Sequence, residues 1–353
     1  MQRGRDIGLL LVAGAVILTG VRSAAASPPA VKATGLPADW VAAPLGTDDT
    51  LTVAQSVTVD NGKWTVQAGG KDLWNEADGG LIVYQKHTGS GSVTARLLSQ
   101  TGGQDGGWVK TGVAFRESVD AGSRQAEMLY CSGNMFAPNV RVNADETPKH
   151  PGNDGSGGVG YNGRGNDTIP PTGRDIGDNI WVGIERDGAT FRMFGSNDGK
   201  VWTRYAGTTQ ADFAADMLTG IEATAHDDDD SVVGEVQTSV LDNIAVSNDL
   251  LTPRSISGIQ MLARDKGALI AWNSPAVDGV TFNVYQVDSN LGNPKKLNTD
   301  PIKGSSYIAE GLENGKPYHF AITAVVNGVE SLKAMPEPLA FVGGVAQDSL
   351  GAR

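Results

Sequence analysis

Tryptophan side chains supply the clearest binding chemistry in this sequence. The face of a tryptophan ring can stack against the C–H face of a sugar, while neighbouring amides and charged groups bond to the sugar hydroxyls. Four tryptophans are candidates for this role: Trp74, Trp108, Trp181 and Trp202. Trp108 ranks first, because it follows Asp105-Gly106-Gly107 and is therefore predicted to lie at the edge of a loop.

Residues 111–117 place charged groups near these aromatic residues. Side chains alternate between the two faces of a strand, so Val113 and Phe115 are predicted on one face and Arg116 on the other. Arg116 would then point into a groove, with Glu117 near its rim. The candidate ligand-binding residues are Trp74, Trp108, Arg116, Glu117 and Tyr161. The alternative is that the tryptophans pack in the core and that Arg116 forms a structural ion pair.

Four consecutive carboxylates follow His226, at Asp227, Asp228, Asp229 and Asp230. Like charges in a row repel unless water or a metal ion separates them, and calcium takes six to eight oxygen ligands. A structural calcium and a solvated acidic loop both remain open at this position. The four histidines share no metal-binding spacing, so no other cofactor is predicted.

The first 26 residues have the three-part order of a secretory signal peptide. A basic start is followed by an apolar segment at 7–21 and by Ala24-Ala25-Ala26, a pattern that signal peptidase accepts. The apolar segment has about 15 residues, fewer than the roughly 20 of a membrane-spanning helix. The sequence therefore predicts a secreted protein, extracellular or periplasmic, with no membrane span after cleavage of the signal.

Charge and cysteine content agree with this prediction. The 28 basic and 40 acidic residues give a net charge of −12, which argues against a nucleic acid partner. Cys131 is the single cysteine, so no internal disulfide is expected. It ends a strand-like segment and is predicted to be a buried, inert thiol; an exposed reactive thiol is the alternative.

Short alternating segments separated by Gly, Asn and Asp predict an all-β chain. The dipeptides Asn61-Gly62, Asp187-Gly188 and Asp198-Gly199 predict tight hairpins. Residues 180–185 should therefore pair with 190–195, and the latter with 201–205. The predicted organisation is a signal peptide at 1–26, a linker at 27–43, a β-sandwich at 44–249 with a long loop at 143–179, a second sandwich at 253–341, and a disordered tail at 342–353.

Motifs across residues 45–247 resemble the concanavalin A-like lectin/glucanase sandwiches, particularly a non-catalytic group in secreted bacterial proteins. They include Trp64-Thr65-Val66, Asp72-Leu73-Trp74, the segment 108–118, Ser196-Asn197-Asp198-Gly199-Lys200-Val201-Trp202 and Asp242-Asn243-Ile244. The resemblance implies a lectin-like jelly roll of two sheets, often with a structural calcium. The loop 143–179 departs from the family, so no activity of that loop is carried over.

The second module resembles a fibronectin type III domain, which is an immunoglobulin-like sandwich. Trp272 matches the core tryptophan of that family, Tyr285 matches an aromatic position of the third strand, and Leu312 with Tyr318 matches the tyrosine corner. If the first module binds a ligand, this module is predicted to serve as a spacer.

No complete catalytic motif is present. Sandwich glucanases carry Glu-x-Asp-x-x-Glu on one strand, which supplies a nucleophile and an acid. Glu76-x-Asp78 and Glu185-x-Asp187 match the first half, but no second glutamate follows either of them. The glycine pattern at 155–160 follows no strand and opens no helix, so it does not predict a phosphate site. No catalytic residue is therefore predicted, and the protein is not expected to be an enzyme.

The sequence thus predicts a secreted, non-catalytic protein that binds a polysaccharide or cell-surface glycan through its first module. Two alternatives remain. One is a structural or protein-interaction module without a small ligand, and the other is a glycoside hydrolase that uses the 143–179 loop.

The calcium hypothesis has a direct test. If residues 227–230 hold calcium, added Ca²⁺ should raise the melting temperature and EDTA should lower it, because an ion that binds only the folded state stabilises that state. A melting temperature that neither reagent changes would leave only the solvated loop.

Overall fold

A computed structural model describes residues 30–46, 53–104, 107–133, 135–151, 180–208, 212–227, 234–288, 293–335 and 341–342. The predicted signal peptide, most of the 143–179 loop and nearly all of the predicted tail lie outside these ranges. Within them, no helix is long and apolar enough to cross a membrane. The described residues form β-sandwiches, which confirms the predicted all-β class.

An eight-stranded sheet forms one layer of the first sandwich. Its strands, numbered along the chain and given in spatial order, are β1 (Lys32–Thr34), β3 (Ser56–Asp60), β4 (Lys63–Ala68), β14 (Gln237–Ser247), β6 (Gly91–Gly102), β10 (Ile180–Asp187), β11 (Thr190–Ser196) and β12 (Thr203–Thr208). The β1–β3 pair is parallel and the other neighbours are antiparallel. The predicted pairing of 180–185 with 190–195, and of 190–195 with 201–205, is confirmed.

A six-stranded antiparallel sheet forms the other layer. In spatial order its strands are β2 (Val41–Leu45), β5 (Gly80–Thr88), β13 (Asp216–Thr224), β7 (Lys110–Arg116), β8 (Gln125–Cys131) and β9 (Met135–Arg141). Because β1 and β2 pair with β3 and β5, the segment predicted as a linker at 27–43 contributes an edge strand to each sheet.

Strand alternation builds the core between the two sheets. On β7, Val113 and Phe115 point inward and are fully buried among apolar side chains from both layers. Arg116 therefore lies on the outer face of the six-stranded sheet, as the alternation predicts. The predicted hairpin at Asn61-Gly62 is also present, and both residues have positive φ, 49° and 77°.

The second sandwich has two smaller sheets. One contains β15 (Ser257–Arg264), β16 (Gly267–Asn273) and β19 (Ser306–Glu310), and the other contains β17 (Thr281–Val287), β18 (Lys295–Lys296), β20 (Pro317–Val326), β21 (Val329–Glu330) and β22 (Phe341–Val342). Trp272 is buried in its core against Phe282. The hydroxyl of Tyr318 accepts a hydrogen bond from the Glu313 backbone N–H at 2.8 Å, which closes the connection before β20.

A buried carboxylate on the outer face of β10 joins the two sandwiches. The Glu185 side chain is completely buried and accepts hydrogen bonds from the backbone N–H groups of Leu251 (2.6 Å) and Thr252 (2.8 Å). It also accepts from the Thr252 hydroxyl, and it forms an ion pair with Arg192 at 2.8 Å. The short 3₁₀ turn Thr252–Arg254 between the modules is therefore fixed to the first sheet.

Further contacts extend this interface. Trp202 packs with Leu251 and Phe194, and Leu332 from the second module enters the core of the first. The Thr203 hydroxyl donates to the Leu332 carbonyl at 3.0 Å. The second module thus contacts the first through several residues, in addition to the linker peptide that connects them.

Replacing Glu185 should therefore weaken the interface between the two modules. Glu185→Ala leaves the backbone N–H groups of Leu251 and Thr252 without their acceptor and removes the closer ion-pair partner of Arg192. We therefore expect a loss of about 3 kcal/mol in unfolding free energy, measured by denaturant titration. Asp187→Ala is the matched control, because Asp187 also contacts Arg192 but its side chain is half exposed. If Glu185→Ala lowers the unfolding free energy no more than the control does, Glu185 does not hold the two modules together.

Candidate functional site

A pocket of about 350 Å³ opens on the outer face of the six-stranded sheet. Strands β7 and β9 form its floor, and the 69–79 loop between β4 and β5 forms one wall. Its lining combines aromatic, charged and amide side chains: Asp72, Trp74, Asn75, Trp108, Lys110, Ala137, Asn139, His150 and His226.

The two leading tryptophan candidates both lie at this pocket. Trp108 is 36% exposed, and Trp74 is partly exposed. The ring of Trp74 stacks on the imidazole of His150, with 5.0 Å between centroids and 22° between planes. The structure therefore brings together two aromatic faces that are distant in the sequence. The other two candidates are elsewhere: Trp202 is buried at the module interface, and Trp181 lies beside it.

Charged groups sit beside these rings. Asp72 forms an ion pair with Lys110, and its other carboxylate oxygen lies 3.6 Å from His226 Nε2. The Lys110 ammonium is 5.4 Å from the centroid of the Trp108 ring, within the range of a cation–π contact. The pocket thus offers both donors and an acceptor within reach of an aromatic surface.

Two buried arginines hold the pocket wall in place. Arg141 bonds both oxygens of Asp78, and its Nη2 also donates to the Asn75 carbonyl at 2.9 Å. Arg116 Nη1 donates to Asp78 at 2.7 Å. Since Asp78 and Asn75 belong to the same loop as Trp74, these bonds fix the loop that carries the aromatic wall.

This arrangement corrects the prediction for Arg116. Its side chain is completely buried, and it also donates to the backbone carbonyls of Ser118 and Asp120. Strand alternation gave the right face, but the 69–79 loop and the 118–123 turn cover that face. Arg116 therefore forms the structural ion pair of the alternative prediction and does not line the pocket.

Glu117 does not line the pocket either. Glu117 accepts a hydrogen bond from the Ala214 backbone at 2.7 Å and pairs with Arg124 at 3.4 Å. Tyr161 lies outside the described residues, as do Asp228, Asp229 and Asp230. Asp227 is buried and accepts hydrogen bonds from the backbones of Gly234 and Glu235. Within the described ranges, no group of three or more His, Cys, Asp or Glu side chains is placed to hold a metal ion.

A pair of buried glutamates beneath the pocket was not predicted. Glu127 on β8 and Glu222 on β13 flank β7, where they lie opposite Ala114 and Gly112. These small residues leave the space in which the two carboxyl groups meet. Asn139, which lines the pocket, donates to Glu127 at 2.8 Å. The sequence held a weak signal for this pair, since a glutamate alternates with apolar residues inside each of the two strands.

The buried charged groups on the outer face of the six-stranded sheet balance only if one carboxyl group keeps its proton. Two guanidinium groups, Arg116 and Arg141, face the three carboxyl groups of Asp78, Glu127 and Glu222, and all five side chains are buried. Burial and then the neighbouring Glu222 raise the pKa of Glu127 well above its ordinary value, and burial also raises the pKa of Glu222. One proton is therefore retained between the two glutamates when exposed carboxylates are ionised.

The free thiol of Cys131 lies on β8, the strand that also carries Glu127, and is buried, as predicted. Burial raises the pKa of this thiol to about 12, so it stays protonated and unreactive at neutral pH.

No known protein family matches the chain, and no curated protein matches it. Among solved structures, it is similar to a functionally unknown protein from Saccharomyces cerevisiae, with 13% identity and a TM-score of 0.40 over 60% of this chain and 97% of that one. It is also similar to a Fn3-like protein from Clostridium thermocellum, with 27% identity and a TM-score of 0.20 over 22% of this chain and 82% of that one.

A third similar structure is a β-1,2-glucanase from Parabacteroides distasonis, with 13% identity and a TM-score of 0.22. The match covers 88% of this chain but only 38% of the glucanase. With TM-scores of 0.40 or lower, these three similarities support no conclusion about fold or function.

The shared proton predicts an unusual pH dependence of stability. A carboxyl whose pKa is raised by folding keeps its proton in the folded state while the unfolded chain has released it. Its contribution to stability is complete below the unfolded value, about 4.3, and is lost as pH rises through the folded pKa. Glu127→Gln mimics the protonated form, so it should reduce the decline of melting temperature that begins above about pH 4.3. The control Glu76→Gln, at an exposed position, should leave the profile unchanged; a profile that Glu127→Gln also leaves unchanged would contradict the shared proton.

Proposed function

We propose that the first sandwich binds a carbohydrate in the pocket between Trp74 and Trp108. The observation that supports this most is the convergence of two partly exposed tryptophans on one pocket with Asp72, Lys110 and Asn139. An aromatic face favours the apolar side of a sugar ring, and the polar groups suit its hydroxyls.

The size of the pocket suggests which part of a glycan it takes. A volume of about 350 Å³ lies at the lower end of the roughly 300–1,000 Å³ of small-ligand sites. This space suits one or two sugar rings, such as the end or a branch of a polysaccharide, better than a long stretch of chain.

Binding without hydrolysis fits the placement of the carboxyl groups. Asp72 is the only carboxylate that lines the pocket among the described residues, and it is paired with Lys110. Glu127 and Glu222 are completely buried behind Asn139 and share a proton, so they do not stand on either side of a bound sugar as a hydrolytic pair does. Secretion, as the signal sequence predicts, would place this pocket where polysaccharides and cell-surface glycans occur.

Tryptophan substitutions test this proposal. Once a ligand is found by glycan array or polysaccharide pull-down, Trp108→Ala and Trp74→Ala should each weaken binding at least about tenfold in calorimetric titration, because each removes a stacking surface. Far-UV circular dichroism should show that both variants remain folded.

Trp181→Ala is the matched control. Trp181 is also partly buried, but it lies on the outer face of the eight-stranded sheet, against Trp202 and Arg96. Its loss should leave affinity unchanged. The proposal fails if no glycan binds, or if the Trp181 variant loses as much affinity as the pocket variants.

A further inference from the structure

An apolar row crosses the outer face of the three-stranded sheet in the second module. Leu262 on β15 lies directly opposite Leu269 on β16, which in turn lies opposite Ile308 on β19. Leu262 is 47% exposed and Ile308 is 44% exposed, which places both among the few exposed large apolar side chains of the described residues. Aliphatic side chains in direct register form a continuous patch, unlike the single exposed apolar residues that are ordinary on protein surfaces.

The rows on either side of this one carry little charge. The next row on one side is Gln260, Ala271 and Ser306, and on the other side it is Arg264, Gly267 and Glu310. The two charges are of opposite sign and lie at opposite edges of the same row. This face is therefore neutral in a chain whose net charge is −12, so two copies could approach each other here with little repulsion.

We propose that this face pairs with the same face of a second copy of the chain. A two-fold axis parallel to the strands would place β15 of one copy over β19 of the other, with the rows in register. Leu262 would then contact Ile308 of the second copy, and Leu269 would contact Leu269 of the second copy. Arg264 would lie next to Glu310 of the second copy. Each unequal contact occurs twice, as an isologous interface requires, and sheets pack face to face in nearly this alignment.

The size of the face sets the strength of the pairing. Three strands about 4.8 Å apart, with three rows of outward side chains about 7 Å apart, would bury roughly 600 Å² in total over both copies. Stable interfaces bury about 1,200 Å² or more, so this dimer is of the weak, reversible class. It would raise the avidity of a glycan-binding protein at a surface, where the chain is concentrated, without a permanent dimer in dilute solution.

Sedimentation equilibrium of the full chain, from micromolar to near-millimolar concentration, tests the pairing. We expect a reversible monomer–dimer equilibrium. The double variant Leu262→Lys/Ile308→Lys should weaken it at least about tenfold, because the two-fold axis places four ammonium groups in one small interface. Both positions are exposed, so melting temperature should confirm an intact fold.

Charge exchange provides a sharper test. R264E should weaken the dimer, because it sets a carboxylate against the Glu310 carboxylate of the other copy at two symmetry-related positions. R264E/E310R should restore the dimer, because it reverses both charges of each pair. Val329→Lys, at an exposed apolar position on the other sheet of the module, is the control and should change nothing. A monomer at every concentration, a dimer that the double lysine variant leaves intact, or equal disruption by Val329→Lys would each overturn the proposal. None of these results depends on whether the pocket binds a glycan, which the tryptophan variants test separately.

Discussion

The first sandwich depends on one buried interaction, the contact of Asp78 with two arginines from different strands. Arg116 on β7 and Arg141 on β9 both bond this carboxylate, and none of the three side chains is exposed. Burying three ions is costly unless each is fully paired. Here the pairing draws the 69–79 loop down onto the six-stranded sheet, and that loop carries Asp72, Trp74 and Asn75 into the pocket wall. The shape of the pocket thus follows from a charge cluster that does not line it.

Strand periodicity was enough to predict most of the fold. Alternation in 111–117 gave the inward positions of Val113 and Phe115, and the Asn-Gly and Asp-Gly dipeptides gave the hairpins. The short strands β1 and β2 escaped prediction, because a segment rich in proline and alanine has no alternating pattern. They are held as strands by pairing with β3 and β5, which is a tertiary effect.

The candidate site was less predictable, for a related reason. Periodicity assigns a side chain to a face of a strand but does not say what covers that face. Arg116 was placed on the correct face and then expected to reach a ligand, whereas a loop from elsewhere in the chain buries it. Trp74 and Trp108 reach the same pocket because two loops meet over β7, where Lys110 joins them from β7 itself and His226 from the turn after β13. That meeting depends on long-range contacts, which local sequence patterns do not contain.

The position of Glu185 has a mechanical consequence. It faces outward from the eight-stranded sheet, whereas the pocket opens on the six-stranded sheet at the opposite side of the sandwich. With its pocket held on a surface, the protein carries its second module on the far side. A load applied there passes into β10 through the buried carboxylate and the packed Trp202 and Leu251 side chains. We therefore expect the second module to turn with the first as a rigid lever arm, because these contacts resist rotation as well as separation.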